Sequence, residues 1–223
     1  TSTWDDRLAS SITRSDVREL HRRISNEGKP QAANMMLAHV SSVFAWAIRE
    51  EILKIAANPA HGVSRNATKD RERVVSDDEL PGLWRKLADS DDARRAALLL
   101  VLLTGQRPGE VAHMRREDVR GRWWTLPGDP ASGWPGTKNG KTHAVYLGDT
   151  AFGIVERCAR FDRQHVFVGR TGRPVSSLSA IMRELSKELK LDPPVTPHDL
   201  RRTFATWVIR LGWSREAMDR MLN

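Results

Sequence analysis

Three short stretches of this sequence hold residue types suited to phosphate chemistry. In "LLTGQRPGEVAHM", Arg107 stands between an apolar run and a new segment whose first turn holds Pro108 and Glu110. Proline favours the first helical position and a carboxylate the first turn, so a helix is expected to begin here. A helix start presents free N–H groups and the positive end of the dipole, and a guanidinium beside it can grip a phosphate through two parallel hydrogen bonds. The same residues also suit an ordinary structural ion pair between Arg107 and Glu110. "TPHDLRR" repeats the arrangement, with Pro197 at the expected helix start, His198 in the first turn and Arg201 three residues on. That spacing puts His198 and Arg201 on one face, within reach of one phosphate. A capping histidine followed by a surface arginine explains the same spacing without chemistry. In "PGTKNGKTHAVYL", Lys138 and Lys141 flank Asn139-Gly140 at the mouth of a strand. A lysine on a hairpin tip is usually only solvated, so its interest lies in its combination with the two helix starts.

The elements that must position these residues are mostly helical. "TRSDVRELHRRISNEGKP" opens with a capping box at Thr13 and Asp16, repeats apolar residues at Val17, Leu20 and Ile24, and stops at Gly28 and Pro30. "QAANMMLAHVSSVFAWAIREE" places Met36, Val40, Phe44, Ala47 and Ile48 on one face of a longer helix, and Asn58-Pro59 closes the block. The polar, basic stretch 62–73, which lacks periodicity, reads as an interdomain linker. "SDDELPGLWRKLAD", with a capping box at Ser76 and Glu79, and "DDARRAALLLVLLTG", ending at Gly105, predict two further helices. "RWWTLP" and "THAVYL" are aromatic and β-branched and flank a Gly- and Pro-rich stretch, which predicts two paired strands with a long connecting loop. Helical patterns return over 150–161, over 176–191 and from His198 to the end. The fold class that results is mainly α with a small antiparallel β-sheet (α+β).

Composition narrows the partner. Against 28 Asp and Glu there are 36 Lys and Arg, a formal net charge of +8, which favours an anionic partner and nucleic acid first. Cys158 is the chain's one cysteine, so no internal disulfide forms, and nothing stands near it at metal-ligand spacing. The longest apolar run, 96–103, is far short of the roughly 18 residues of a membrane span, and no signal-peptide pattern opens the residues given. A soluble protein of a reducing cytoplasm is expected.

Taken in order, "TGQRPGEV", a lysine in a β-hairpin and "HDLRRTFAT" resemble the catalytic domain of the tyrosine recombinases, in particular the phage-type integrases. "ITRSDV", "AANMMLAHVSSVFAWAIREE" and "NPA" are similar to the later part of that family's helical core-binding domain. The resemblance implies a core-binding domain at 1–62, a linker at 63–73 and a catalytic domain at 74–223. It assigns Arg107 as the first catalytic arginine, Glu110 as its supporting acid, Lys138 as the hairpin lysine, His198 as the histidine and Arg201 as the second arginine. Lys141 is the rival of Lys138 for the role of general acid. The histidine or tryptophan and the nucleophilic tyrosine that follow in the family have no counterpart here. The chain is therefore expected to stop one residue short of that histidine and to be a central piece of a longer protein. Tyr146, its one tyrosine, lies in the strand after Lys138 and reads as structural.

The chemistry implied is transesterification without metal or cofactor: a tyrosine attacks a DNA phosphodiester, leaving a 3'-phosphotyrosine and a free 5'-hydroxyl. The implied partner is double-stranded DNA, with the parent protein a tetramer on DNA and this fragment monomeric and catalytically silent, in a bacterial or phage-infected cell. Two other classes share these residues. One is a DNA-binding regulator that has lost catalysis; the other is a type IB topoisomerase, against which the integrase-like helical first domain argues.

Overall fold

The computed structural model describes residues 4–69 and 71–222, and the chain divides into two compact units, Thr1–Arg71 and Glu72–Asn223. The first unit is built on α1 (Arg14–Asn26) and α2 (Pro30–Arg49). The expected capping box opens α1: Thr13 N–H donates to the Asp16 carboxylate at 2.8 Å and Asp16 N–H to Thr13 Oγ1 at 3.3 Å. Arg7, 2.7 Å from Asp16, together with Thr13 holds that carboxyl far below the ordinary aspartate range. Gly28, at φ +76°, then turns the chain into Pro30. α2 buries Ala33, Leu37, Phe44 and Ala47, and Leu37 and Phe44 form one cluster with Ile12, Val17 and Ala60. The expected face is the buried one, with Phe44 and Ala47 at its centre; Ala33 and Leu37 join it, and Met36, Val40 and Ile48 at its edges are only half-buried, because α2 packs mainly against one neighbour and needs only a narrow seam. Within the stretch read as a linker, Asn66 is tied back to this unit. Its N–H donates to Asn34 Oδ1 at 2.9 Å, and its Nδ2 donates to Ser25 Oγ at 2.7 Å.

The second unit runs α3 (Leu80–Ala88), α4 (Ala93–Thr104), α5 (Pro108–Ala112), β1 (Val119–Arg120), β2 (Trp123–Leu126), β3 (His143–Tyr146), α6 (Asp149–Cys158), α7 (Leu178–Glu188), α8 (Pro197–Arg210) and α9 (Arg215–Leu222). It is an α+β fold, mainly helical, with one antiparallel sheet of order β1-β2-β3. α4 is its axis: every residue from Ala96 to Leu102 is buried, as suits a helix apolar all round, and α3, α5, α6, α7 and α8 pack against it. β2 and β3 pair Trp124 with Val145 on the buried face and Trp123 with Tyr146 on the exposed one. The long connection from β2 to β3 is anchored by Trp134, 2% exposed, whose indole N–H donates to Pro127 O at 2.8 Å. β1 is too short for its pattern to show in the sequence. No helix among the described residues is long and apolar enough to cross a membrane.

Three helical expectations are corrected. α6 ends at Cys158 rather than at Phe161, with Ala159 already extended. α7 is shorter than 176–191, because Ser177 and Lys190 take positive φ on either side of it. The run from His198 to the end is two helices, broken at Gly212 (φ +88°) and restarted by Ser214, whose Oγ accepts from Ala217 N–H at 3.1 Å. This break matters most, since it turns α9 back over the end of α4.

Candidate active site

α4 ends on Gly105, whose φ of +67° is the left-handed conformation that glycine adopts without strain. A Cβ there would lie 2.3 Å from Phe204 Cδ1 and 2.6 Å from Leu222 Cδ2. The missing side chain thus also lets α8 and α9 close over the helix end. The next residue, Gln106, is wholly buried, and Arg107 is the N-cap of α5. The Glu110 carboxylate, on a residue 5% exposed, accepts both the Arg107 backbone N–H at 3.1 Å and its Nη1 at 2.8 Å. The structural ion pair anticipated as the alternative does form, and it fixes the direction of the guanidinium. With five residues α5 carries little dipole, so the anion attraction expected of this helix start rests mainly on Arg107 itself.

α8 supplies the second pair. Thr196 and Asp199 form its capping box, with Thr196 N–H donating to the Asp199 carboxylate at 2.8 Å and Asp199 N–H to Thr196 Oγ1 at 3.3 Å. Pro197 and Asp199 are buried while His198, between them, keeps part of its surface in solvent and part of its ring covered. One turn on, Arg201 is half-buried: Nη1 donates to Gly105 O at 2.8 Å and Nη2 to Leu222 O at 2.7 Å. Each of those carbonyls lies at the C-terminal end of a helix, where partial negative charge offsets part of the cost of desolvating a cation.

Arg107, His198 and Arg201 are brought into mutual electrostatic contact. Partial burial of the His198 ring lowers its pKa below the usual 6.5, the neighbouring Arg201, Arg202 and Arg107 lower it further, and Asp199 opposes them. Arg201 is likewise pushed below the ordinary guanidinium value by burial and by Arg107, with Glu110 opposing, and it stays protonated at neutral pH. A cluster of cations partly withdrawn from water is suited to an anion that carries charge on several oxygens.

Two residues that sequence reasoning missed complete this end of the unit. Gln106 Nε2 donates to Met221 O at 2.7 Å, and His143 Nε2, at the start of β3, is 3.1 Å from the same carbonyl. With Arg201 on Leu222 O, three side chains from the α4–α5 connection, β3 and α8 hold the last turn of α9. Gln106 Oε1 is buried and accepts no hydrogen bond among the described residues.

The hairpin lysines stand elsewhere in the arrangement. The turn runs from Thr137 to Gly140, closed by Gly140 N–H donating to Thr137 O at 3.1 Å. Lys138 and Asn139 therefore occupy its centre, one residue earlier than the Asn139-Gly140 pair expected. Lys141 follows at its exit, and both lysines are exposed. The Lys138 side chain forms no hydrogen bond or ion pair with a described residue. Tyr146 lies on the exposed face of β3, its ring edge-to-face with Trp123 at 5.3 Å. No group of three or more His, Cys, Asp or Glu side chains among the described residues is arranged to hold a metal ion.

Comparison with known proteins agrees with this architecture. The tyrosine recombinase XerD of Halalkalibacterium halodurans is 25% identical over 232 residues, covering 97% of this chain and 75% of that protein. Among solved structures, a lambda integrase dimer bound to a COC' core site matches with a TM-score of 0.75 at 20% identity, over 99% of this chain and 81% of that one. A lambda integrase tetramer bound to a Holliday junction matches at 0.72 and 19% identity, over 98% of this chain and 66% of that one. At these identities the structural likeness establishes the fold. The model of the phage integrase family matches residues 73–223, all but the first residue of the unit that holds Arg107, His198 and Arg201, and the chain belongs to that family.

Proposed function

We propose that this chain performs the DNA-binding and phosphate-activating part of site-specific recombination, in which strands are cut and rejoined through a 3'-phosphotyrosine link. The observation that carries the reading is the cluster of Arg107, His198 and Arg201, gathered at one end of α4 from positions far apart in sequence, with Arg201 fixed between Gly105 O and Leu222 O. Family membership supports it, as does the DNA in the complexes of the structural neighbours.

In this reading the two guanidinium groups bind the non-bridging oxygens of a DNA phosphodiester and neutralise the charge that grows there as a tyrosine oxygen attacks phosphorus. A positioned donor of this kind commonly supplies about 2 to 4 kcal/mol of transition-state stabilisation. His198, neutral at pH 7, hydrogen-bonds the phosphate and assists proton transfer at the nucleophile. Lys138 protonates the departing 5'-oxygen, for which the exposed tip of the hairpin must reach the bound DNA. The P–O5' bond breaks as the P–O(Tyr) bond forms, so the bond energy is kept for religation. Tyr146, engaged with Trp123 on the outer face of the sheet, is not the nucleophile, which comes from a tyrosine outside these 223 residues. The parent protein works as a tetramer on DNA, and this chain alone is monomeric.

The test is a library of nicked suicide duplexes offered to the intact protein and to this chain. A covalent adduct is expected from the intact protein, lost in Arg107→Ala and Arg201→Ala, and none is expected from this chain. An adduct that survives either arginine substitution rejects the reading, and one formed at Tyr146 moves the nucleophile.

A further inference from the structure

At the opposite end of α4 lies a second concentration of positive charge. A cavity of 520 Å³ is bounded by the residues before and at the start of α4, the end of α6 and the hairpin that follows it. Arg157, Arg160, Arg163 and Arg170 line it against a single carboxylate, Asp91, and Cys158 forms part of its wall. Its volume falls within the roughly 300 to 1,000 Å³ usual for pockets that hold a small ligand. Because α4 spans 12 residues, the cavity is about 18 Å from the Arg107–Arg201 cluster at 1.5 Å per residue.

The surroundings do not neutralise this charge. Arg157, Arg160 and Arg170 form no ion pair with a described residue, and Arg163 pairs only with its exposed neighbour Asp162 at 3.2 Å. The hairpin is shaped around one of these groups. Gly172 has a φ of +75°, and a Cβ there would lie 2.6 Å from Arg163 Nη1, so a side chain would be strained and would also displace the guanidinium. In the same turn, closed by Gly172 N–H donating to Gly169 O at 2.9 Å, Arg170 projects from the first corner. Four guanidinium groups around one concavity repel one another until an anion with several charged oxygens joins them, and the planar fork of arginine suits phosphate oxygens in pairs.

We infer that this cavity is a second phosphate-binding site, separate from the catalytic cluster, which takes either a free polyphosphate or a backbone phosphate of DNA through Arg157, Arg160, Arg163 and Arg170. Nothing in this inference requires the proposed recombination chemistry.

Cys158, the chain's one cysteine, is a built-in reporter. Burial raises its thiol pKa, Arg157 opposes that rise, and an anion seated in the cavity would shield the sulfur from a dianionic thiol reagent such as Ellman's. Pyrophosphate at twice its dissociation constant, at fixed ionic strength, is expected to slow labelling about threefold. The double variant Arg160→Gln, Arg170→Gln is expected to lose the effect, and Arg107→Ala to keep it, which separates this site from the catalytic cluster. A short duplex that protects where pyrophosphate does not assigns the site to DNA backbone; protection by both assigns it to phosphate from either source. Equal slowing by chloride at matched ionic strength, or full protection in the double variant, overturns the inference. The linewidth of the ³¹P resonance of pyrophosphate, measured with the same proteins, gives the same decision without depending on the thiol.

Discussion

His198 sets the pH dependence of the cluster. Its pKa in the folded chain lies below the ordinary 6.5 because its ring is partly buried beside Arg201, Arg202 and Arg107. Between the folded and unfolded values the unfolded chain holds the proton more tightly, so this histidine makes stability rise with pH across that window and fall as pH drops through it. A bound phosphate reverses the electrostatics, since an oxyanion favours imidazolium. The expected outcome of an NMR titration is a His198 pKa below 6.5 in the free chain that moves upward when a phosphate-bearing oligonucleotide is added; a free value at or above 6.5 would refute this account of its surroundings. At Gly105, both the positive φ and the contacts of Phe204 and Leu222 exclude a side chain, and Gly105→Ala should cost about 1 to 3 kcal/mol in denaturant unfolding. The helix starts at Arg107 and Pro197 were legible in the sequence because each carries its own local signal, a proline in the first turn and an acidic residue at the third position. Gln106 and His143 were not, since their shared partner Met221 lies 115 and 78 residues away and the contact is to a backbone carbonyl, which leaves no mark on residue type.

At the scale of elements, α4 ties the two ends of its unit together. It was legible as a buried helix because its eight-residue apolar run, set between the capping Asp92 and the terminal Gly105, suits a helix packed on all sides, and that is how it sits. Leu100→Ala, at a position with no exposed surface, should lower stability by about 2 to 5 kcal/mol, read as a fall in the denaturation midpoint at constant slope. The break between α8 and α9 was harder to see. The apolar pattern runs on through Ile209, Leu211 and Trp213, all of which prove exposed, so periodicity outweighed the turn signal of Gly212 and Ser214. The docked end of α9 depends on that break, and Gln106→Leu tests the docking. The substitution removes the hydrogen bonds from Nε2 to Met221 O and Thr104 O, a loss offset in part by removal of a buried oxygen without a partner, so global stability should fall only modestly. Amide exchange in the last turn of α9 should quicken about fivefold, the equivalent of one hydrogen bond of about 1 kcal/mol. Unchanged exchange there would mean that His143 and Arg201 hold the turn without it.

For the whole molecule the governing quantity is its charge, a net +8 over 223 residues. Whether that excess serves DNA binding or only solubility is decided by salt. A chain that displaces condensed cations from a duplex loses affinity linearly in log–log terms, by about 0.9 of a decade per decade of salt for each phosphate neutralised. A chain held by apolar or base contacts alone shows almost no slope. The expected result is a steep decline in duplex affinity between low and physiological salt. If each arginine grips one phosphate as proposed, Arg107→Ala and Arg201→Ala should each weaken binding and each reduce the slope by about 0.9. Glu110→Gln separates contact from position. It leaves both arginines charged but replaces the carboxylate that accepts the Arg107 N–H and Nη1 with a neutral amide. Affinity should therefore fall while the slope stays near that of the unaltered chain. If Glu110→Gln instead lowers the slope as much as Arg107→Ala does, Arg107 needs its carboxylate in order to reach phosphate at all. If neither arginine substitution changes the slope, the cluster at the end of α4 is not where this chain meets the DNA backbone.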